Sequence, residues 1–267
     1  MPSSRSAARV RCTSAPPSDT TSRSTSAAEP PSGCYTTARV ERGVVRHLER
    51  HVARIVRDAA LLGLGALAPE AARAELVALA RRAFPDGVGV IRLEARAGGR
   101  GRPPRLLGAT RALDPEPPCW RALVSPLPHP GPSPWSRAKS SERDAYERAL
   151  AQARAAGAHE ALLADAGRRL VEGARTSLVV VDGDGRARTP PLARGAQAGI
   201  ARSLLLERVA ELAEADVTLD ELAGARELVA VNAVRGARPI VAIDGRPVGD
   251  GRPGPWAERL AAALDAD

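Results

Sequence analysis

Residues 114–135 constrain the fold more than any other stretch of this chain. Eight prolines fall within them. Proline has no amide hydrogen and a fixed φ, so such a run cannot continue a helix or the middle of a sheet. It divides the chain. Residues 126–135 read as a connector between two domains, an N-terminal one over 33–125 and a C-terminal one over 136–267. Residues 1–32 are Ser, Thr, Pro, Ala and Arg with little to bury, and read as a disordered tail. Their Arg- and Ser-rich, acid-poor composition also resembles an organelle transit peptide.

The first half alternates strands and helices. Cys34–Val40 is β-prone and ends at a Glu41-Arg42-Gly43 turn. Val45, Leu48, Val52, Ile55 and Ala59 recur at helical spacing until Gly63 and Gly65, and a second helix runs from about Pro69 to Ala83. Val88–Ala95, Leu106–Leu113 and Ala122–Ser125 read as strands, with Gly98-Gly99-Arg100-Gly101 as a basic loop. The second half carries a helix over Tyr146–Ala156 and strands at Glu160–Ala164 and Ser177–Val181, with Arg169–Glu172 preceding a polar turn between them. A hairpin turn follows at Asp182-Gly183-Asp184-Gly185. Gly199 opens a helix expected to reach about Leu212. Strands at Glu227–Val231 and Pro239–Ile243 and a helix over Trp256–Leu264 close the chain.

Composition narrows the function classes. The net charge of +8 invites a nucleic-acid reading, but Arg is interleaved with Glu and Asp, and aromatics for base stacking make up 2%. Cys12, Cys34 and Cys119 and the four histidines have no metal-ligand spacing; His47 and His51 share a helix face without a third ligand. No metal, nucleic-acid or membrane role is expected, and the reducing character implied by the cysteines points to the cytoplasm. Of the 39 Lys and Arg residues one alone, Lys139, is a lysine. Arg stays protonated and cannot serve as an amine nucleophile, whereas a desolvated Lys can attack a carbonyl.

Several short segments then fall into one order. Gly33–Val40, His51-Val52-Ala53-Arg54, Lys139, Glu172-Gly173, Gly199-Ile200-Ala201-Arg202 and Asn232-Ala233 resemble, in sequence and spacing, the class IV (fold-type IV) pyridoxal-phosphate enzymes. That family includes branched-chain and D-amino-acid aminotransferases and aminodeoxychorismate lyase. The resemblance implies an α+β fold in two domains, a smaller N-terminal α/β domain and a larger β-rich one, and a homodimer. It implies pyridoxal 5'-phosphate as cofactor and an amino-acid-like small molecule as substrate. It makes Lys139 the catalytic lysine that bonds the cofactor. It makes Glu172 the partner of the pyridine nitrogen, and Arg54, Ile200, Ala201, Asn232 and Ala233 the phosphate site. Tyr35 and Arg100 become substrate contacts.

Chemistry supports these residue types. A carboxylate beside the ring nitrogen keeps it protonated, and a guanidinium and a helix N-terminus both suit a phosphate dianion. The first strand, the Gly98–Gly101 loop and Asn232-Ala233 lean toward the lyase, which eliminates pyruvate to give p-aminobenzoate for folate synthesis. Amino-acid transamination is the alternative, and a non-catalytic member a further one. The chain departs from the family at Glu142, where Asn or Asp is common, and at Ser177, where Asn is usual. It also shows no recognisable opening hairpin before Gly33, which leaves an expected unpaired sheet edge.

Overall fold

A computed structural model describes residues 29–266. The disordered reading of residues 1–32 therefore falls mostly outside the described residues; 29–32 form neither helix nor strand. The chain runs β1 (Gly33–Glu41), β2 (Val44–Val45), α1 (Leu48–Leu61), α2 (Pro69–Ala83), β3 (Val88–Arg96), β4 (Arg105–Ala112) and β5 (Trp120–Val124). It continues through α3 (Asp144–Ala155), β6 (Glu160–Ala164), β7 (Leu170–Gly173), β8 (Ser177–Val181), β9 (Ala187–Thr189) and α4 (Ile200–Arg208). It ends with β10 (Leu212–Glu214), α5 (Leu219–Ala223), β11 (Glu227–Asn232), β12 (Gly236–Ile243), β13 (Arg246–Pro247) and α6 (Pro255–Asp265).

Two sheets result. The first is antiparallel, in the order β2-β1-β3-β4, with α1 and α2 packed on it. Cys34, Ala38 and Val40 alternate toward Val52, Ile55 and Ala59 of α1, so one face of β1 builds the core. The intervening Tyr35 and Thr37 are left for the opposite face. The second sheet has nine strands, in the order β10-β9-β8-β11-β12-β5-β6-β7 with β13 beside β12. Alternation again separates two cores. Val179, Val181, Val229 and Val231 pack with α4 and α6, while Leu178, Val180, Leu228 and Ala230 pack with Trp120.

Four expectations need correction. Strand β5 does not join the first half: it runs parallel to β12 and β6 in the second sheet, so the chain changes sheets between Ala112 and Trp120. Buried Trp120, under the Arg175 guanidinium, draws it there. Helix α4 stops at Arg208 rather than near Leu212, because Val209 turns extended and Leu212 pairs with Ala187 in β10. Val45 lies in β2, not in α1, since Arg42 and Gly43 turn the chain back with φ of 47° and 73°. The outer edge of β1 is not left open. Tyr35 N donates to Lys139 O and Ser141 N to Gly33 O, each at 2.9 Å, so the segment around Lys139 lies along that edge as a short added strand.

The proline-rich segment is tied down as well. Ser125 N donates to Leu162 O and His129 N to Ala164 O, both at 2.8 Å, so it follows the edge of β6 toward Lys139. No helix among the described residues is long and apolar enough to cross a membrane, and none of their His, Cys, Asp and Glu residues cluster to hold a metal.

Candidate active site

Between the two sheets lies a pocket of about 270 Å³. Tyr35, Arg54, Lys139, Glu172, Ile200, Ala201, Asn232 and Ala233 all line it. Eight of the nine residues singled out from the sequence thus meet in one cavity. Arg100 does not. The Gly98–Gly101 loop carries it to a separate groove beside Gly65 and Pro103, where Gly99 and Gly101 adopt positive φ.

Lys139 is held by its backbone as much as by its side chain. Its N–H donates to Asp58 Oδ2 at 2.9 Å, and its Nζ donates to Gln197 Oε1 at 3.0 Å. The ammonium stands 4.9 Å from the centre of the Tyr35 ring. Burial, with the Arg143 and Arg54 guanidiniums nearby, pushes the Lys139 pKa well below the ordinary lysine value; Glu172 opposes this. Burial and the guanidiniums both favour the uncharged amine, the state a nucleophile needs.

Glu172 is buried at the end of β7. Its Oε1 accepts from the Tyr146 hydroxyl at 2.8 Å, with His129 Nε2 at 3.3 Å, and its Oε2 accepts from Gln197 N at 3.1 Å. Gly131 N donates to His129 Nδ1 at 3.0 Å, which leaves Nε2 as the ring nitrogen that faces Tyr146 and Glu172. Gln197 links the two key groups, through its side chain to Lys139 and its backbone to Glu172.

The far end of the pocket suits an anion. Arg54, on the buried face of α1, sits 4.0 Å from Asp58, and its Nε has no hydrogen-bond partner. Burial lowers its pKa to about 10, which leaves it charged at neutral pH. Beside it His51 is fully buried, bonded through Nδ1 to Thr36 Oγ1 at 2.6 Å, with Nε2 unpartnered. Desolvation and the Arg54 charge hold it neutral, well below the usual histidine range. Gly199 starts α4 without a side-chain cap, so the first amides of that helix face the pocket with no side-chain acceptor. A Cβ on Gly199 would stand 2.7 Å from Ser177 Oγ, which brings that hydroxyl to the helix start. Asn232 works differently from the expectation. Its Oδ1 accepts from Val234 N and Arg235 N at 3.0 and 2.7 Å, so it shapes the β11–β12 turn that presents Ala233.

Sequence reasoning missed Asp58, His129, Tyr146 and Gln197. Asp58 alone left a trace, as an acid one helical turn beyond Arg54 on an apolar face. His129 and Gln197 lie in irregular chain, where periodicity is silent, and Tyr146 sits in the first turn of α3, where helical spacing shows no role.

The amino-transferase class IV family model matches residues 33–243. The chain belongs to that family. It is a pyridoxal-phosphate-dependent enzyme, and the orphaned Arg54 Nε, the uncapped α4 amides and the Lys139–Glu172 pair fit that cofactor. No curated protein matches in sequence. Among solved structures, a branched-chain amino acid aminotransferase from Escherichia coli is similar at 21% identity, with a TM-score of 0.77 over 86% of this chain and 83% of that one. A hypothetical aminotransferase from Mycobacterium tuberculosis, in a PLP-bound form, is 21% identical, with a TM-score of 0.75 over 88% of each chain. A branched-chain aminotransferase from Thermoproteus uzoniensis with norvaline is 25% identical, with a TM-score of 0.75 over 87% and 84%. These chains share the α+β, fold-type IV architecture.

Proposed function

We propose that the chain is an amino-acid transaminase in which Lys139 is the catalytic residue. The observation that carries the reading is the desolvated Lys139 amine in one pocket with buried Glu172 and the anion-binding end formed by Arg54 and α4. Transamination has more support than the lyase reaction favoured by the sequence motifs. The structures similar in fold include branched-chain aminotransferases, and the Gly98–Gly101 loop, one of the three features that leaned toward the lyase, lines another groove.

The residues divide the work. When bound, pyridoxal phosphate supplies the electron sink that lets a proton leave the substrate Cα. Arg54 and the amides of Ile200 and Ala201 bind the phosphate, with the Ala233 amide as a further donor. The Ser177 hydroxyl, beside Gly199, supplies the side-chain donor that Ala233 lacks. Glu172 accepts at the ring nitrogen and keeps a proton there, oriented by Tyr146 and Gln197 N. Lys139 Nζ moves the proton at Cα, and its lowered pKa favours the free amine that a base requires. Tyr35 walls the substrate side.

Borohydride reduction of protein purified with pyridoxal phosphate, followed by mass spectrometry, tests the reading. The cofactor mass is expected on Lys139 and is expected to vanish in Lys139→Ala. No modification of folded protein supplied with cofactor sinks it. Assays of amino-group transfer to a 2-oxo acid and of pyruvate release then distinguish transamination from elimination.

A further inference from the structure

We infer that Gln197 is a positioning residue for Lys139, whose side-chain oxygen holds the amine in the pocket and leaves the nitrogen lone pair free. This rests on the reading of Lys139 as the reacting amine and names the residue that orients it.

The loop ahead of α4 is pinned through its backbone. Gln197 N donates to Glu172 Oε2 at 3.1 Å, Gly199 N to Gln197 O at 2.8 Å, and Ala198 N to Arg137 O at 3.3 Å. The last of these joins the loop to the segment that carries Lys139. The Gln197 side chain closes on the same segment. Its Oε1 accepts from Lys139 Nζ at 3.0 Å, and its Nε2 stands 3.5 Å from Ala138 O. A backbone carbonyl can only accept, which turns Nε2 toward Ala138 and Oε1 toward the amine. The amine also meets the Tyr35 ring, 4.9 Å from its centre. Neither an amide oxygen nor a ring face offers a hydrogen to the nitrogen, so neither occupies its lone pair. One residue thus sets both the ring carboxylate, through its backbone, and the amine, through its side chain. Substitution can remove only the second link.

The residue type matters as much as its place. A carboxylate at this distance would stabilise the ammonium and keep the proton on it. An apolar side chain would bury the amine without this acceptor, which is unfavourable. A neutral acceptor does neither. The surrounding groups make that neutrality useful. Burial disfavours the ammonium, Arg143 ahead of α3 and Arg54 in α1 add to this, Glu172 in β7 opposes it, and Arg92 in β3 adds a smaller push. His51 in α1, which also faces Lys139, is itself held neutral. An uncharged amine gives up most of its attraction to Glu172, and the Gln197 oxygen then fixes where it stands. A displacement of about 1 Å at a reacting group is enough to slow a reaction greatly.

The test exploits the single lysine, which makes Lys139 the one side-chain amine of the chain. Its free-amine fraction is followed in the full chain without cofactor, by reductive methylation with formaldehyde over a pH series and mass spectrometry. Gln197→Glu is expected to move the midpoint of methylation upward by about one pH unit or more. Gln197→Leu should not raise it. Above the midpoint, where the amine is free in both proteins, Gln197→Leu should instead slow the capture of pyridoxal phosphate on Lys139, fixed by borohydride and read by mass, by about tenfold. Gln197→Asn stays neutral but is one methylene shorter, and should slow capture in the same way. Gln197 is half-buried between this pocket and a second cavity, so these changes disturb no close-packed core. An unmoved midpoint in Gln197→Glu, or capture at the wild-type rate in both Gln197→Leu and Gln197→Asn, overturns the inference. Failure of the underlying reading looks different. A wild type that captures no cofactor on Lys139 fails that reading, whereas wild-type capture left unaltered by the substitutions fails this inference alone.

Discussion

The Tyr146 hydroxyl donates to Glu172 Oε1 across 2.8 Å, and His129 Nε2 lies 2.9 Å from that same hydroxyl. Burial and the neighbouring carboxylate raise the Tyr146 pKa far above the ordinary phenol value, so it stays a donor throughout the working pH range. The chain of donors aims the carboxylate, and removing its middle link has a defined consequence. Tyr146→Phe is expected to lower kcat about tenfold with KM changed less than about threefold, in line with a lost hydrogen bond to a charged group. Steady-state kinetics that move KM instead would assign Tyr146 to substrate binding.

Arg54 makes a second prediction. Its orphaned Nε and its place beside α4 give Arg54→Gln a retention of pyridoxal phosphate weakened by about tenfold or more, read by equilibrium dialysis. Arg54→Lys should recover part of this, because an ammonium keeps the charge and loses the planar fork.

Asp58 ties α1 to the Lys139 backbone. It is fully buried, accepts from Lys139 N, and pairs with Arg57 at 2.7 Å and Arg54 at 4.0 Å. Asp58→Ala removes one partner from a buried charged group, so unfolding in urea should show a loss of about 3 kcal/mol. A loss below about 1 kcal/mol would mean that the surrounding guanidiniums are already satisfied by solvent.

Glu160 gives a pH signature. It is fully buried, accepts from Thr176 Oγ1 at 2.9 Å, and burial raises its pKa from 4.5 to about 7. The folded state therefore holds the proton more tightly than the unfolded state. This contribution to stability is complete below about pH 4.5 and is lost as pH rises toward and through 7, a change of about 3 kcal/mol. Glu160→Gln keeps a neutral polar group in place. Its thermal midpoint should match the wild type near pH 5 and exceed it at pH 8. A wild type equally ahead at both pH values would contradict the raised pKa.

Much of this architecture was legible in the chain because periodicity records burial. Helix α2 and strands β3 and β8 appear where alternation or helical spacing placed them. What escaped is short: β2, β9, β10 and α5 span two to five residues, too few for a period to show, and β10 is set by a partner distant in sequence, Ala187 for Leu212. The site divides in the same way. Lys139 stood out as the one lysine, and Arg54, Glu172 and Gly199 through the order of their motifs. Gln197 and His129 gain meaning only when the fold sets them against Glu172. Arg100 lies outside this cavity, in the groove its loop forms with Gly65 and Pro103.

The edge pairing of β1 ties chemistry to integrity. A bare sheet edge is a template for pairing with another chain, and here that edge is covered by the segment bearing Lys139. Any opening that lets the Tyr35 and Ser141 amides exchange with solvent also carries the reactive amine out of register with Gln197 and Glu172. A molecule loosened enough to become adhesive has therefore already fallen silent as an enzyme, and amide exchange at those two positions would report both events at once.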